Sequence, residues 1–173
     1  MDLSTKEGAL DLLDDHNQIT SEVFLQQGKL HPFGMVLARV NPETGCAFSE
    51  VTPLLVRCPP GGGTEVLAKV LRESVKRTYG VGALWSAEAW LAIPTKATQG
   101  MTPEQVRATL PRDLEQASGR REVLVTVLEH VTGIEVRVCE IERTADGSPK
   151  LGAWETMPSD GWGGRMTSLV QKE

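Results

Sequence analysis

The sequence predicts an α+β domain: a mainly antiparallel sheet of five to six strands with two amphipathic helices packed on one face. Three observations predict it. The chain has 173 residues, 40% hydrophobic and 24% charged, which suits one domain at about 150 residues each. Two segments repeat their apolar residues at helical spacing. Most of the remainder is short alternating segments separated by turn residues.

The first helix is expected over about Thr5 to Gln27. Ser4 and Glu7 have the spacing of a capping box. Ala9, Leu12, Leu13, His16, Ile19, Val23 and Phe24 then approximate one stripe, and Gly28 suits the stop. Phe33 to Val40 is almost continuously apolar and short, hence a strand. Asn41-Pro42-Glu43-Thr44-Gly45 carries the chemistry of a type I turn closed by a left-handed residue. A second strand follows, Cys46 to Arg57, which Pro53 marks as broken, bulged or at an edge.

Cys58-Pro59-Pro60-Gly61-Gly62-Gly63 reads as a connector, after which Thr64 can cap a second helix. Leu67, Val70, Leu71, Val75 and Thr78 form the clearest stripe in the chain, with Glu65 to Lys69 and Glu73 to Arg77 as favourable i, i+4 pairs. Tyr79-Gly80 ends it. Ala83 to Ile93 alternates, sending Trp85, Ala87, Ala89 and Leu91 one way and Leu84, Ser86, Glu88 and Trp90 the other. A polar insertion at 94–119 follows, in which Thr102-Pro103-Glu104-Gln105 starts a short helix. Arg121 to His130 and Ile134 to Cys139 form a hairpin, and a last strand runs over Leu151 to Glu155. The domain thus spans 1–156, followed by a Gly-rich flexible tail at 157–173 whose candidates for docking back are Trp162, or Leu169 and Val170.

The resulting order, α-β-β-α-β-[short α]-β-β-β, resembles the profilin-like and roadblock-like small α/β domains over about Thr5 to Glu155. The chain is also similar to small bacterial α+β proteins. The likeness is one of element order, implies the fold alone and carries no site residue across.

Several function classes are set aside. No run reaches the ~18–20 apolar residues of a membrane span. Asp2, Glu7, Asp11, Asp14 and Asp15 against Lys6 are the wrong start for a signal peptide. Cys46, Cys58 and Cys139 are odd in number and lack a CxxC, so the expectation is a cytoplasmic protein with free thiols. The net charge of -5 and 5% aromatic content oppose nucleic acid as a partner, despite Lys69, Arg72 and Lys76 on one helix.

Candidate chemistry is sparse. Gly61, Gly62 and Gly63 before a helix are candidates for an anion, but neither GxxxxGK[ST] nor GxGxxG is present, and a flexible connector is the plainer reading. His16, His31 and His130 have unrelated spacings, so no metal and no cofactor is expected. His16 on an apolar stripe reads as a core histidine. Glu88 lies between Trp85 and Trp90, where a carboxylate with a raised pKa could act as acid or base. Its plainer readings are a wet face or an ion pair with Arg39, Arg121 or Arg137. Residues 1–31 hold six acids against two lysines, whereas the second helix is basic. If side by side, the helices attract each other. Alternatively Asp11, Asp14 and Asp15 of one copy meet Lys69, Arg72 and Lys76 of another in a homodimer.

The expected function is a non-catalytic protein-binding or self-assembling module. The alternative is a small hydrolase or ligand-binding enzyme using Glu88 and His130 under 94–119. A third option is a sensor in which Trp85 or Trp90 stacks on a ligand.

Overall fold

The computed structural model describes residues 1–92, 100–102, 105, 108, 120–158 and 169. Its elements in chain order are α1 (Lys6–Gln27), β1 (Phe33–Val40), β2 (Ala47–Arg57), α2 (Thr64–Thr78), β3 (Gly82–Ala92), β4 (Arg120–His130), β5 (Gly133–Arg143) and β6 (Pro149–Met157). The strands form one six-stranded sheet in the order β2-β1-β3-β4-β5-β6, antiparallel at every pairing. The predicted α+β class and sheet are therefore those of the molecule.

The helices do not share a face. On β3, Ala83, Trp85 and Ala87 pack with Leu67, Leu71 and Val75 of α2. Leu84, on the other face, packs with Ala9 and Leu13 of α1, and Ser86 beside it bonds His16 of α1. Phe24 of α1 extends this second core over Leu124, Cys139 and Ile141. Two features of the chain explain the arrangement. Since β1 is antiparallel to both β2 and β3, those two run parallel with β1 between them. The β2-α2-β3 connection is thus a crossover, and chirality assigns α2 one face. The near-continuous apolar runs of β1 and β4 then need cover on both sides, and α1 supplies the second.

Local chemistry sets the ends. Asp2 accepts the Ser4 hydroxyl at 2.7 Å, so Thr5 rather than Ser4 caps α1, its Oγ1 accepting from Gly8 N at 3.1 Å. Gly28 closes α1 at φ 70°, where its lack of a Cβ removes strain. Gly63, not Thr64, is the N-cap of α2 and offers no side-chain bond. Pro53 lies in the edge strand β2 opposite Leu37. The Leu37 carbonyl accepts from Val81 N on the β3 side. Leu37 and Pro53 are thus a non-hydrogen-bonded pair, and the proline nitrogen points off the sheet, where no ladder bond is lost.

The face of α1 turned to the sheet differs from the predicted stripe. His16, Asn17 and Thr20 are buried, while Ile19 is 52% exposed. His16 and Thr20 take inner positions because Ser86, itself bonded to Thr126, meets them on the sheet. In the insertion, Thr102 Oγ1 accepts from Gln105 N at 3.3 Å and Gln105 Oε1 from Thr102 N at 2.9 Å, the reciprocal pair foreseen there. Apart from Gly100, Met101 and Ala108, the rest of that segment, with Trp162 and Val170, lies outside the described residues. Leu169 is buried in the core on the α2 side of the sheet.

Candidate functional site

Glu88 and His130 both face α1, as alternation allows, but the sheet keeps them apart. His130 pairs with Gly82, six residues along β3 from Glu88, about 20 Å at 3.3 Å per residue. Each is held locally. A Glu88 carboxylate oxygen accepts the Leu30 amide and pins the link between α1 and β1. Its nearby cation is Arg143 rather than Arg39, Arg121 or Arg137; the Glu122 hydrogen bond chiefly raises the pKa of Arg143, and the Glu88 charge adds to it. His130 is 3% exposed, contrary to the surface position expected of a hairpin end. Its Nδ1 lies 2.8 Å from Thr132 Oγ1. Burial lowers its pKa against the opposing pull of the Leu3 backbone.

The other sequence candidates are scattered. Trp85 is inside the α2 core and Trp90 is on the opposite face, so the two rings do not wall Glu88 together. Trp85 is 4% exposed, too deep to stack on a ligand, and the Arg120 guanidinium lies 4.8 Å from the Trp90 ring centre. In the glycine loop the Gly62 amide is taken by the Pro59 carbonyl at 2.9 Å. The Gly62 and Gly63 carbonyls turn to the Cys58 thiol. With its middle amide taken, Gly61–Gly63 does not present three amides together to an anion. Asp14 pairs with Arg137 at 3.5 Å, and Asp11 and Asp15 are exposed. Lys69, Arg72 and Lys76 lie across the sheet, so the expected attraction between neighbouring helices has no geometry to act in. Among the described residues no three His, Cys, Asp or Glu side chains are placed to hold a metal ion.

One constellation went unread in the sequence. His16 Nε2 is 2.8 Å from Ser86 Oγ, which is 2.9 Å from Thr126 Oγ1 and 3.2 Å from Thr20 Oγ1. A hydroxyl at that distance from an imidazole is how a nucleophile meets its base. Here His16 is 1% exposed and Ser86 fully buried, with no route for a substrate. Burial also drives the His16 pKa down to about 4, far below what a base at neutral pH needs. The network is structural.

A concave surface with an apolar floor lies elsewhere, smaller than the more open hollow of about 850 Å³ between the N-terminus and the β1–β2 edge at Arg39 and Phe48. On the α2 side, where α2 stops covering the sheet, a cavity of about 300 Å³ opens over β3 to β6. Leu91, Val123, Val138 and Met157 give it an apolar floor, and Arg121, Glu140, Glu142 and Glu155 a charged border. Arg121 and Glu140 are paired at 3.1 Å. A bulge shapes its outer wall: Cys139 pairs with Trp154 and Ile141 with Leu151, leaving Gly152 and Ala153 both opposite Glu140. The signal was present in β5. Val136, Val138, Glu140 and Glu142 fall on one face at a period of two, so that face turns from apolar to acidic along the strand.

Comparison with protein-family models, with curated proteins and with solved structures finds no match. No helix among the described residues is long and apolar enough to cross a membrane.

Proposed function

We propose that this chain is a non-catalytic protein-binding module whose partner occupies the cavity over β3 to β6. The observation that carries the reading is the make-up of that cavity: an apolar floor bordered by charge, with no nucleophile or histidine in the lining and no carboxylates grouped to hold a metal ion among the described residues. A floor of Leu, Val and Met supplies affinity by excluding water, and a charged border sets orientation and selects among partners. At about 300 Å³ the cavity sits at the small end of ligand sites, a size that suits one or two side chains of a protein segment. Three unpaired cysteines fit the reducing cytoplasm as the compartment.

The hydrolase alternative needs Glu88 and His130 around one substrate, and their separation along β3 works against it. Self-assembly has a narrower form than the sequence suggested. With acidic α1 and basic α2 on opposite faces, copies joined through them stack head to tail, since a two-fold dimer cannot satisfy both contacts with one partner.

The test is selection from a displayed peptide library by the purified protein, with Ala153→Arg beside it. Ala153 is exposed at the bulge, so the substitution fills the cavity mouth and leaves the core intact. The expected result is sequence enrichment by the parent protein that Ala153→Arg abolishes while thermal unfolding stays the same. Enrichment indifferent to Ala153→Arg, or none above background, removes the reading. Light scattering over a range of concentrations and salt checks the stacked form, and a monomer throughout rejects it.

A further inference from the structure

We propose that β6 accepts an extended segment of a partner protein as a seventh strand, a segment with apolar residues at alternate positions and Lys or Arg beyond them. This rests on the cavity being the partner surface and adds how it is entered.

The two sheet edges differ. At β2 the nitrogen of Pro53 points outward, so an added strand meets a position with no donor. At β6 the proline is Pro149, the first residue, and the amides from Lys150 to Met157 follow without another. Among the described residues β6 pairs with β5 alone. An unpaired strand edge is a template for main-chain bonding, with alternate side chains supplying specificity.

Side-chain positions agree with that mode. The lining of the cavity reaches the edge strand itself through Ala153 and Met157. A neighbouring strand at about 4.8 Å would therefore set every second side chain beside Ala153 and Met157, at the outer wall of the cavity. On the opposite face, the Trp154 indole donates to Ser21 of α1 at 3.0 Å. The charge is chosen too. Arg121 engages Glu140, whereas Glu142 and Glu155 have no ion-pair partner among the described residues. Lys150 stands opposite Glu142 in register, and the remaining acidic excess favours a cationic segment over an anionic one.

The probe is a synthetic decapeptide alternating valine and threonine with lysines at both ends. Beside it stand a version N-methylated at alternate backbone amides and a version with glutamates for lysines. Binding is followed by fluorescence anisotropy, and the β6 amides by hydrogen exchange. The expected result is binding of the lysine peptide with slowed exchange along β6. N-methylation in the bonding frame should weaken it about tenfold or more. Glu142→Lys combined with Glu155→Lys should weaken the lysine peptide and favour the glutamate one, an effect that shrinks with salt. Equal binding of the methylated peptides with unchanged β6 exchange overturns strand addition and leaves the cavity reading standing. Protected β6 amides with affinity unmoved by Ala153→Arg support strand addition and overturn the cavity reading. No binding of any peptide, or protection of β6 by self-association without peptide, overturns the proposal.

Discussion

His16 is the most consequential single residue of the described core, because a group that must stay neutral sits where α1 meets the sheet. Its folded pKa of about 4 lies below the ordinary 6.5. Between these values the unfolded chain binds a proton that the folded chain refuses, so stability is complete above about pH 6.5 and declines as pH falls toward 4. The shift corresponds to about 3 kcal/mol at 1.36 kcal/mol per unit. Urea titrations between pH 4 and 8 should show this slope, and His16→Gln should flatten most of it, leaving the smaller same-signed contribution of His130. A variant with the parental slope would mean the imidazole is not the group responsible. Ser86 is the hub of the same network, with three hydroxyl or imidazole partners. Ser86→Ala should therefore cost about 2 kcal/mol, more than Thr126→Ala at its end, since it strands several buried groups at once.

At the scale of elements, the ends of α2 show where local sequence and structure agree and where they part. Its C-cap, Tyr79, adopts φ 48° with a backbone bond to Val75 O, a left-handed conformation that glycine takes without strain. Since Tyr79 is 71% exposed, Tyr79→Gly should stabilise by about 0.5–1 kcal/mol. That is a rise of a few degrees in Tm by calorimetry, and a fall would show that the ring contributes packing after all. The stop at Tyr79-Gly80, both helices and all six strands were legible because period and turn chemistry act over a few residues. The face taken by each helix was not, because alternation states that a strand has two sides without saying which element lies on each. The clue was in β1, where Val36 and Leu37 are both apolar and both fully buried. A strand with one wet face does not read that way. The site was less legible still. Glu88 stood out because two tryptophans flank it in sequence, yet neighbours in a strand point apart, and its carboxylate serves the Leu30 amide. The cavity is assembled from β3, β4, β5 and β6, whose registers no single segment encodes.

For the whole molecule, the consequence is two cores separated by one sheet. Leu13 belongs to the α1 core, with Leu37, Leu84 and Leu128. Val75 and Val36 belong to the α2 core, with Leu71 and Ala83. Truncations that share no partner add, whereas neighbours relax into one another's cavities and couple by 0.5 kcal/mol or more. Leu13→Val and Val75→Ala should each cost about 1–2 kcal/mol from lost methyl groups, and together their sum. Val36→Ala with Val75→Ala, within one core, should depart from additivity. Urea midpoints of the three single and two double variants at constant m-value decide it. Were Leu13 and Val75 coupled as strongly as Val36 and Val75, the sheet would be transmitting strain between layers, and the cavity over β3 to β6 would feel events at α1. Were they independent, a partner bound on the α2 side would leave the acidic helix on the other side undisturbed, and the two faces could engage different proteins at once.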